Sequence, residues 1–188
     1  MKTPARLFLA ALLAASLTAH AERADRNKPV HLEAERVTVD DIKRVHIFEG
    51  NVLLTQGTLS IRSAKLVVTQ DAEGFQKGVA SGGTDGLARF RQKREGKEEY
   101  VEGEGERIEY DSRSERSEFF ARAHVKSGID EVRGNYILFD GITEQYLVTA
   151  NPGAKPGTPS GRVTAIIQPK NIKNAAPAST APTTAAKP

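Results

Sequence analysis

The chain has 188 residues, of which 38% are hydrophobic, and it contains no Cys and no Trp. Its 27 Lys and Arg residues stand against 24 Asp and Glu residues, and two of the cations, Lys2 and Arg6, lie in a segment that we expect to be removed. A mature net charge close to neutral argues against a nucleic-acid-binding surface, so no nucleic-acid partner is expected. The absence of Cys excludes a disulfide framework, which leaves sheet pairing and a hydrophobic interior to stabilise one modest domain.

The first 21 residues have the pattern of a secretory signal peptide. A basic start is followed by the apolar run LFLAALLAASL (7–17) and by the small-residue site AHA, which ends at Ala21. The apolar run is shorter than the roughly 20 residues that a bilayer-spanning helix needs. We therefore predict a signal peptide over residues 1–21, cleavage near Ala21, a flexible stretch over residues 22–28 and an exported mature protein.

Between residues 30 and 150, hydrophobic side chains recur at every second position. Val37 and Val39 share one parity, for example, and so do Leu66 and Val68. This is the period of a strand with one buried face, and Gly-containing turns interrupt the strands at short intervals. Since no stretch of the mature domain sustains the 3.6-residue period of a helix, the sequence predicts an all-β fold.

One strand pattern occurs four times, as AERVTVD (34–40), SAKLVVT (63–69), GERIEYD (105–111) and GNYILFD (134–140), and the first pair maps onto the second with an offset of 71 residues. Each unit is interpreted as two inward-facing strands joined at a corner, where a small residue turns the chain. Because one unit cannot bury its apolar face alone, the units must pack together as a twisted sandwich or a jelly-roll-like tunnel. The predicted corner residues are Ala34, Ser63, Gly105 and Gly134.

The inward aliphatic row has two interpretations. It either fills an ordinary sandwich core, which the pattern alone favours, or lines a slot for an apolar ligand. Gly103 and Gly105 leave gaps in this row, and such gaps admit either a ligand or a bend in the strand.

Few residues point to catalysis or to a cofactor. His31, His46 and His124 are far apart in sequence, and the first two have outward strand parity, so no metal site is predicted. The alternate glutamates of VEGEGERIEY (101–110) are typical of a solvated strand face. The sequence also lacks a recognisable nucleophile motif or phosphate loop. We therefore predict neither an enzyme nor a bound cofactor.

The segment RFRQKREGK (89–97) concentrates five basic residues around a predicted hairpin. Arg side chains in such a cluster can bind phosphate groups in a bidentate manner. Neighbouring glutamates dilute the positive charge, so a solvated hairpin is the alternative. The sequence leaves both open.

The C-terminal part of the chain changes character. The stretch NPGAKPGTPSG (151–161) is too rich in Pro and Gly for regular structure, and RVTAIIQP (162–169) after it predicts one more strand. Residues 171–188 combine Ala, Thr and Pro with nothing large enough to bury, which predicts a disordered tail.

Several segments together resemble the LptA family of periplasmic lipopolysaccharide-transport proteins, whose domain is also called OstA-like. They are PVHLEAERVTVD, FEGNVLLTQGTLSIRSAKLVVTQ, ARFRQ, VEGEGERIEYD and GRVTAIIQPK, and the resemblance covers roughly residues 29–170. It implies a twisted, boat-shaped β-jelly roll that is open at both ends and located in the periplasm. It also implies head-to-tail self-association, strand-edge pairing with an LptC-like inner-membrane partner and an LptD-like outer-membrane partner, and lipopolysaccharide as the ligand.

The resemblance and the strand parity together give the expected site residues. Four of them, Val30, Leu32, Phe90 and Tyr110, match interior positions that contact lipid in the family. The expected groove lining is Val30, Leu32, Val37, Val39, Val52, Leu54, Ile61, Leu66, Val68, Phe90, Ile108, Tyr110, Ile137 and Phe139. The expected partner edges are Val30, His31 and Leu32 at one end and Val163, Ala165, Ile166 and Ile167 at the other.

Two alternative classes stay open on the sequence. One is a related OstA-like domain of the same machine, of the LptC or LptD N-terminal type. The other is a structural or adhesive β-repeat protein whose core is closed and filled.

Overall fold

The computed structural model describes residue 25 and residues 28–94, 96–150 and 162–167. Regular structure in these ranges consists of twelve strands and a short 3-10 turn at Thr84–Gly86, which confirms the all-β prediction. No helix within the described ranges is long and apolar enough to cross a membrane. The predicted signal peptide and the predicted C-terminal tail lie outside the described residues. The strands are β1 (His31–Glu33), β2 (Arg36–Asp40), β3 (Val45–Gln56), β4 (Leu59–Asp71), β5 (Gly74–Ser81), β6 (Ala88–Lys93), β7 (Tyr100–Gly105), β8 (Arg107–Asp111), β9 (Arg116–Ser127), β10 (Asp130–Asp140), β11 (Gln145–Thr149) and β12 (Thr164–Ile166).

The twelve strands form two equivalent sets of six, β1–β6 and β7–β12. In the first set β1 and β2 both pair with β3, β3 forms a hairpin with β4, and β4 pairs with β5 and β6. The second set repeats these pairings with β7 to β12. The 71-residue repeat of the sequence is therefore a structural repeat. Two further pairings, β5 with β8 and β6 with β7, join the sets.

The long strands β3, β4, β9 and β10 bend and divide the sheet into two sides. The A side holds β2, β5, β8 and β11, and the B side holds β1, β6, β7 and β12, each with half of every long strand. Across the A side the register aligns the inward residues Val37, Phe48, Leu66, Ala80, Ile108, Phe119, Ile137 and Val148. Across the B side it aligns Leu32, Leu54, Ile61, Phe90, Gly103, Val125, Val132 and Ala165.

The bends lie at the predicted corners. The register of β3 shifts between Glu49 and Val52, and that of β10 shifts at Gly134. At the β1–β2 corner the Glu35 amide donates to the Gly50 carbonyl at 3.1 Å, and at the β7–β8 corner Glu106 repeats this bond to Ala121. Left-handed backbone makes both turns possible: φ is 82° and 44° at Gly50 and Asn51, and 56° and 51° at Ala121 and Arg122.

Aromatic residues join the two sides in the core. The Phe90 ring of the B side meets the Phe119 ring of the A side edge-on, with 5.7 Å between centroids, and lies 6.3 Å from the Tyr110 ring. Phe90, Phe119 and their aliphatic neighbours are almost fully buried. Burial of such a side chain contributes roughly 1.5–3 kcal/mol, so this layer holds the sandwich together.

The outward orientation predicted for His46 is wrong. His46 pairs with Val39 on one side and Val68 on the other, on the inner face of the A side. The corner in β3 adds two residues, Gly50 and Asn51. Because two is an even number, the even-numbered side chains of β3, including that of His46, point inward both before and after the bend. His31, opposite Thr55, does point outward as predicted.

Candidate functional site

The two sides are joined at the corners, and a mouth runs along their opposite edges. The A-side edge of the mouth carries the turns at 41–44, 72–73, 112–115 and 141–144, and the B-side edge carries the segments 57–58, 94–99 and 128–129. Two cavities along this mouth take their walls from both sides. The mouth therefore holds open space that both sides of the sheet line.

The two mouth cavities share one equivalent position of the repeat, at Gln56 and Ser127. The first, of about 890 Å³, is lined by Val30, Gln56 and Phe75, among others. The second, of about 580 Å³, is lined by Ser127, the repeat equivalent of Gln56, and by Tyr146, which takes in β11 the register position that Gly78 has in β5. Both volumes lie in the range of ordinary ligand pockets. Polar and charged side chains make up most of each lining, and the apolar part, Val30 and Phe75 in the first cavity and mainly Val125, Val132 and Tyr146 in the second, belongs to the core or packs against it.

Most of the predicted lining residues lie in the core below these cavities. Val30 and Leu32 are partly buried and pack against that core at the N-terminal end. The centre between the sheets is thus filled by the protein's own side chains, and the open space lies at the mouth. The predicted lining residues that are buried are Val52, Leu54, Ile61, Leu66, Val68, Phe90, Ile108, Tyr110, Ile137 and Phe139.

Val37 and Val39 are not enclosed, although both belong to the expected groove lining. The register places both on the inner face, opposite Phe48 and His46, but they are 53% and 50% exposed. Their strand β2 is paired only with β3 in the described structure, so its outer edge and part of its inner face are uncovered. Contact of these two residues with lipid stays a prediction.

The two glycine gaps have different explanations. A Cβ atom at Gly103 would lie within 2.5 Å of the Phe119 Cζ atom, so the Phe119 ring takes the space that Gly103 leaves. Gly105 ends β7 at the corner, where an added Cβ would lie 3.1 Å from the Phe120 carbonyl oxygen. Gly103 therefore admits a core ring rather than a ligand, and Gly105 permits the bend.

An ionic strap crosses the mouth at the second cavity. Arg94, in the β6–β7 loop of the B side, donates from Nε (3.1 Å) and Nη2 (2.7 Å) to the carboxylate of Glu144, in the β10–β11 turn of the A side. Lys97 donates to the same carboxylate at 2.9 Å. Hydrogen bonds from Arg94, supported by Lys97, lower the pKa of Glu144 to about 2, so this carboxylate is ionised throughout the physiological range.

Two other cations of the basic segment, Arg89 and Arg91, lie on the outer face of the B side. Arg89 pairs with Glu104 at 3.6 Å and Arg91 with Glu102 at 3.2 Å, on the neighbouring strand. The Arg91 guanidinium also lies 3.9 Å above the Tyr100 ring. These two cations are matched by carboxylates on the solvated face, as the glutamate pattern predicted, whereas Arg94 and Lys97 line the second mouth cavity.

Strand edges at the two ends carry the predicted partner residues. β1 and β2 form one end, and β11 and β12 form the other. Val163, Ile166 and Ile167 are 46%, 40% and 78% exposed, and His31 and Ala165 are exposed as well. Such edges have backbone groups available for pairing with another strand.

Several site residues were missed by the parity argument. Phe119 and Val125 are buried in the core, and Phe75, Val132 and Tyr146 line the mouth. The 71-residue offset could have identified Phe119, because it maps onto Phe48 of the first repeat. No local signal marks the mouth, because its residues come from both sides of the sandwich.

The fold and the site together define a two-repeat β-jelly roll whose end strands are paired on one side only within the described residues, with partly apolar cavities along a lateral mouth. A family model described as "LptA/(LptD N-terminal domain) LPS transport protein" matches residues 31–145. The chain belongs to this family, which confirms the family resemblance of the sequence.

Named relatives agree with this assignment. The lipopolysaccharide export system protein LptA of Haemophilus influenzae is 31% identical over 171 residues, covering 90% of this chain and 94% of the relative. LptA of Escherichia coli K12 is 30% identical over 168 residues, covering 89% and 86%. The crystal structure of LptH, the LptA homologue of Pseudomonas aeruginosa, covers 78% of this chain and 99% of its own with a TM-score of 0.69 at 23% identity, which confirms the fold.

Proposed function

We propose that the chain is a periplasmic carrier of lipopolysaccharide that holds acyl chains along the mouth between its two sheet sides. The observation that carries this proposal is the pair of cavities along the mouth, each reaching side chains of the apolar core or side chains packed against it, in a member of the lipopolysaccharide transport family. Export by cleavage of the signal peptide near Ala21 is part of the proposal. No catalytic step and no cofactor are part of it.

The physical need for a lined path supports the proposal. Each CH₂ group moved out of water contributes about 0.8 kcal/mol, so an acyl chain of roughly 12 carbons carries on the order of 10 kcal/mol. A lipid with several chains therefore does not cross an aqueous gap unaided. Apolar contact is non-directional, so two partly apolar cavities along one mouth can serve the lipid as successive sites.

We further propose that copies assemble head to tail, and the internal repeat supplies the register. Within the chain the two sets are joined by β5–β8 and β6–β7. The repeat makes β11 and β12 equivalent to β5 and β6, and β1 and β2 equivalent to β7 and β8. The outer edges of these end strands, which no other described strand pairs, therefore match the two halves of the β5–β8 and β6–β7 junction that the chain already contains.

Transferring the internal register gives specific pairs between copies. Ala80 pairs with Ile108 and Phe90 with Gly103 inside the chain. The equivalent contacts between copies cover the inner face of β2, which explains why its valines are half exposed in a single chain. The proposed pairs are Val148 with Val37, Tyr146 with Val39, and Ala165 with Leu32 of the next copy.

The same edges are proposed to bind the ends of the bridge. An LptC-like inner-membrane partner would pair with the β1 and β2 edge, and an LptD-like outer-membrane partner with the β11 and β12 edge. Backbone hydrogen bonds supply affinity in such β-augmentation, and alternate side chains supply register.

Photo-crosslinking tests the lipid path. A photoreactive amino acid is placed at Tyr146 or Leu32, which point inward, and at Leu147, which points outward and is 53% exposed. Lipopolysaccharide adducts at Tyr146 and Leu32 but not at Leu147 are expected. If every inward position stays free of adducts, the chain is a closed-core structural protein instead.

Disulfide mapping tests the assembly. The chain has no Cys, so a Val37→Cys, Val148→Cys variant can crosslink only through the introduced residues, which lie on opposite edge strands. Mild oxidation should yield ladders of covalent oligomers. The control pair Thr38→Cys with Val148→Cys, which lies on opposite sheet faces, should remain largely monomeric, and equal ladders from both pairs would contradict the register.

A further inference from the structure

The second mouth cavity combines an apolar wall with two converging cations. Val125, Val132 and Tyr146 line it, and Arg94 and Lys97 stand at its rim. Tyr146 stacks on Phe139, with 4.8 Å between ring centroids, so the apolar wall continues into the core. A ligand that fits this arrangement is an amphiphile with an apolar chain and an anionic group.

The contacts of Glu144 match those that a phosphate group makes in proteins. The guanidinium of Arg94 binds both carboxylate oxygens through two donors, and Lys97 adds a third hydrogen bond. A guanidinium group can form two such parallel hydrogen bonds to a carboxylate or to a phosphate group. Of the other nearby carboxylates, Glu99 shares the Arg94 guanidinium through Nη1 at 3.0 Å, which leaves Nε and Nη2 to Glu144, and Glu131 lies 3.0 Å from His124 Nε2.

We propose that Arg94 and Lys97 form a binding site for a phosphate group of the bound lipid, which Glu144 occupies in the unliganded chain. The proposal rests on the proposed lipid-carrier function and adds to it the recognition of an anionic group. When the phosphate group replaces Glu144, the hydrogen bonds from Arg94 and Lys97 in the β6–β7 loop to Glu144 in the β10–β11 turn are broken. Binding of the phosphate therefore also releases the strap across the mouth.

The internal carboxylate is a competitor with a predictable effect. A phosphate monoester carries about −1.5 to −2 charge and three acceptor oxygens, against one charge and two oxygens for Glu144. Removing the charge of Glu144 should therefore strengthen binding of phosphorylated lipid only. A strap that served merely as a mechanical closure would, once weakened, admit phosphorylated and dephosphorylated lipid equally.

The experiment measures binding of two lipids by the full-length mature chain. The probes are lipid A that carries its phosphomonoesters and the same lipid A after phosphatase treatment, with inorganic phosphate as a competitor. The variants are Glu144→Gln, Arg94→Gln and Lys97→Gln. Arg91→Gln is the matched control, because Arg91 belongs to the same basic segment but pairs with Glu102 on the outer face.

Glu144→Gln should bind phosphorylated lipid A about tenfold more tightly, the ratio that about 1.4 kcal/mol produces, with dephosphorylated lipid A unchanged. Arg94→Gln and Lys97→Gln should lower the preference for phosphorylated lipid several-fold, and Arg91→Gln should leave it unchanged. Millimolar inorganic phosphate should reduce this preference, because it competes with the lipid phosphate for Arg94 and Lys97.

Equal strengthening toward both lipids in Glu144→Gln would show a mechanical closure and overturn the proposal. An unchanged preference in Arg94→Gln, with the circular dichroism of a folded β protein, would overturn it as well. Failure of the carrier function has a different signature, because then neither lipid binds to the wild-type chain.

Discussion

Gly103→Ala should destabilise the protein, although replacing a strand glycine with alanine is ordinarily favourable. An added Cβ would lie within 2.5 Å of the Phe119 Cζ atom and 3.1 Å from its Cδ1 atom. The Phe119 ring is fully buried and held edge-on against Phe90, so it cannot move into solvent. Overpacking of this kind costs about 1–3 kcal/mol, which corresponds to a melting temperature roughly 3–10 °C lower.

Chemical denaturation of four variants tests this reasoning. Phe119→Leu should relieve the overlap, so the double variant Gly103→Ala, Phe119→Leu should lose less stability than the two single changes together, with a coupling of about 1 kcal/mol or more. Gly78→Ala is the control, because its Cβ would meet Leu66 and Phe75 at 3.4 Å, an ordinary contact. Stabilisation by about 0.5–1 kcal/mol, the normal effect in a strand, is expected at Gly78. The same gain at Gly103, or additive energies in the double variant, would refute the packing argument.

Three further changes probe the corner, the strap and the edge. Ala121→Gly should raise the free energy of unfolding by roughly 0.5–1 kcal/mol in a urea titration, because φ is 56° there. Glu144→Gln should cost about 1 kcal/mol at pH 7, and this cost should fade as the pH falls from about 5 toward 2. Arg94 holds the folded-state pKa of Glu144 at about 2, below its unfolded value, so its contribution is lost on acidification. Val37→Asp should abolish end-to-end oligomers in sedimentation analysis while leaving the β-type circular dichroism intact, since an unpaired carboxylate would face Val148 of the next copy; oligomers that persist would contradict this edge.

The strand period and the repeat were sufficient to predict the fold. Alternation identified the strands, and the four copies of one pattern located the corners, because the chain needs a small residue wherever a strand passes from one side to the other. The register shifts next to Ser63 and at Gly134 lie at these positions. Local patterns determine such features, so a single sequence contains them.

The site required information that alternation does not contain. An inward row has the same pattern whether it encloses a slot or fills a core, so the filled centre around Phe90 and Phe119 could not be read from parity. The exposure of Val37 depends on β2 being an edge strand, which is a property of the whole sheet. Arg94 and Glu144 are 50 residues apart, and only the bend of the sheet brings them together across the mouth.

Paramagnetic relaxation from a nitroxide on an acyl chain of bound lipopolysaccharide tests the central claim most directly. With methyl groups labelled throughout the chain, the signals of Val30 and Val132, which line the two cavities, should broaden most. Those of Leu53 and Leu147, on the outer faces, should stay sharp. Broadening confined to the outer faces, or none at either cavity while lipid is bound, would contradict an acyl path along the mouth.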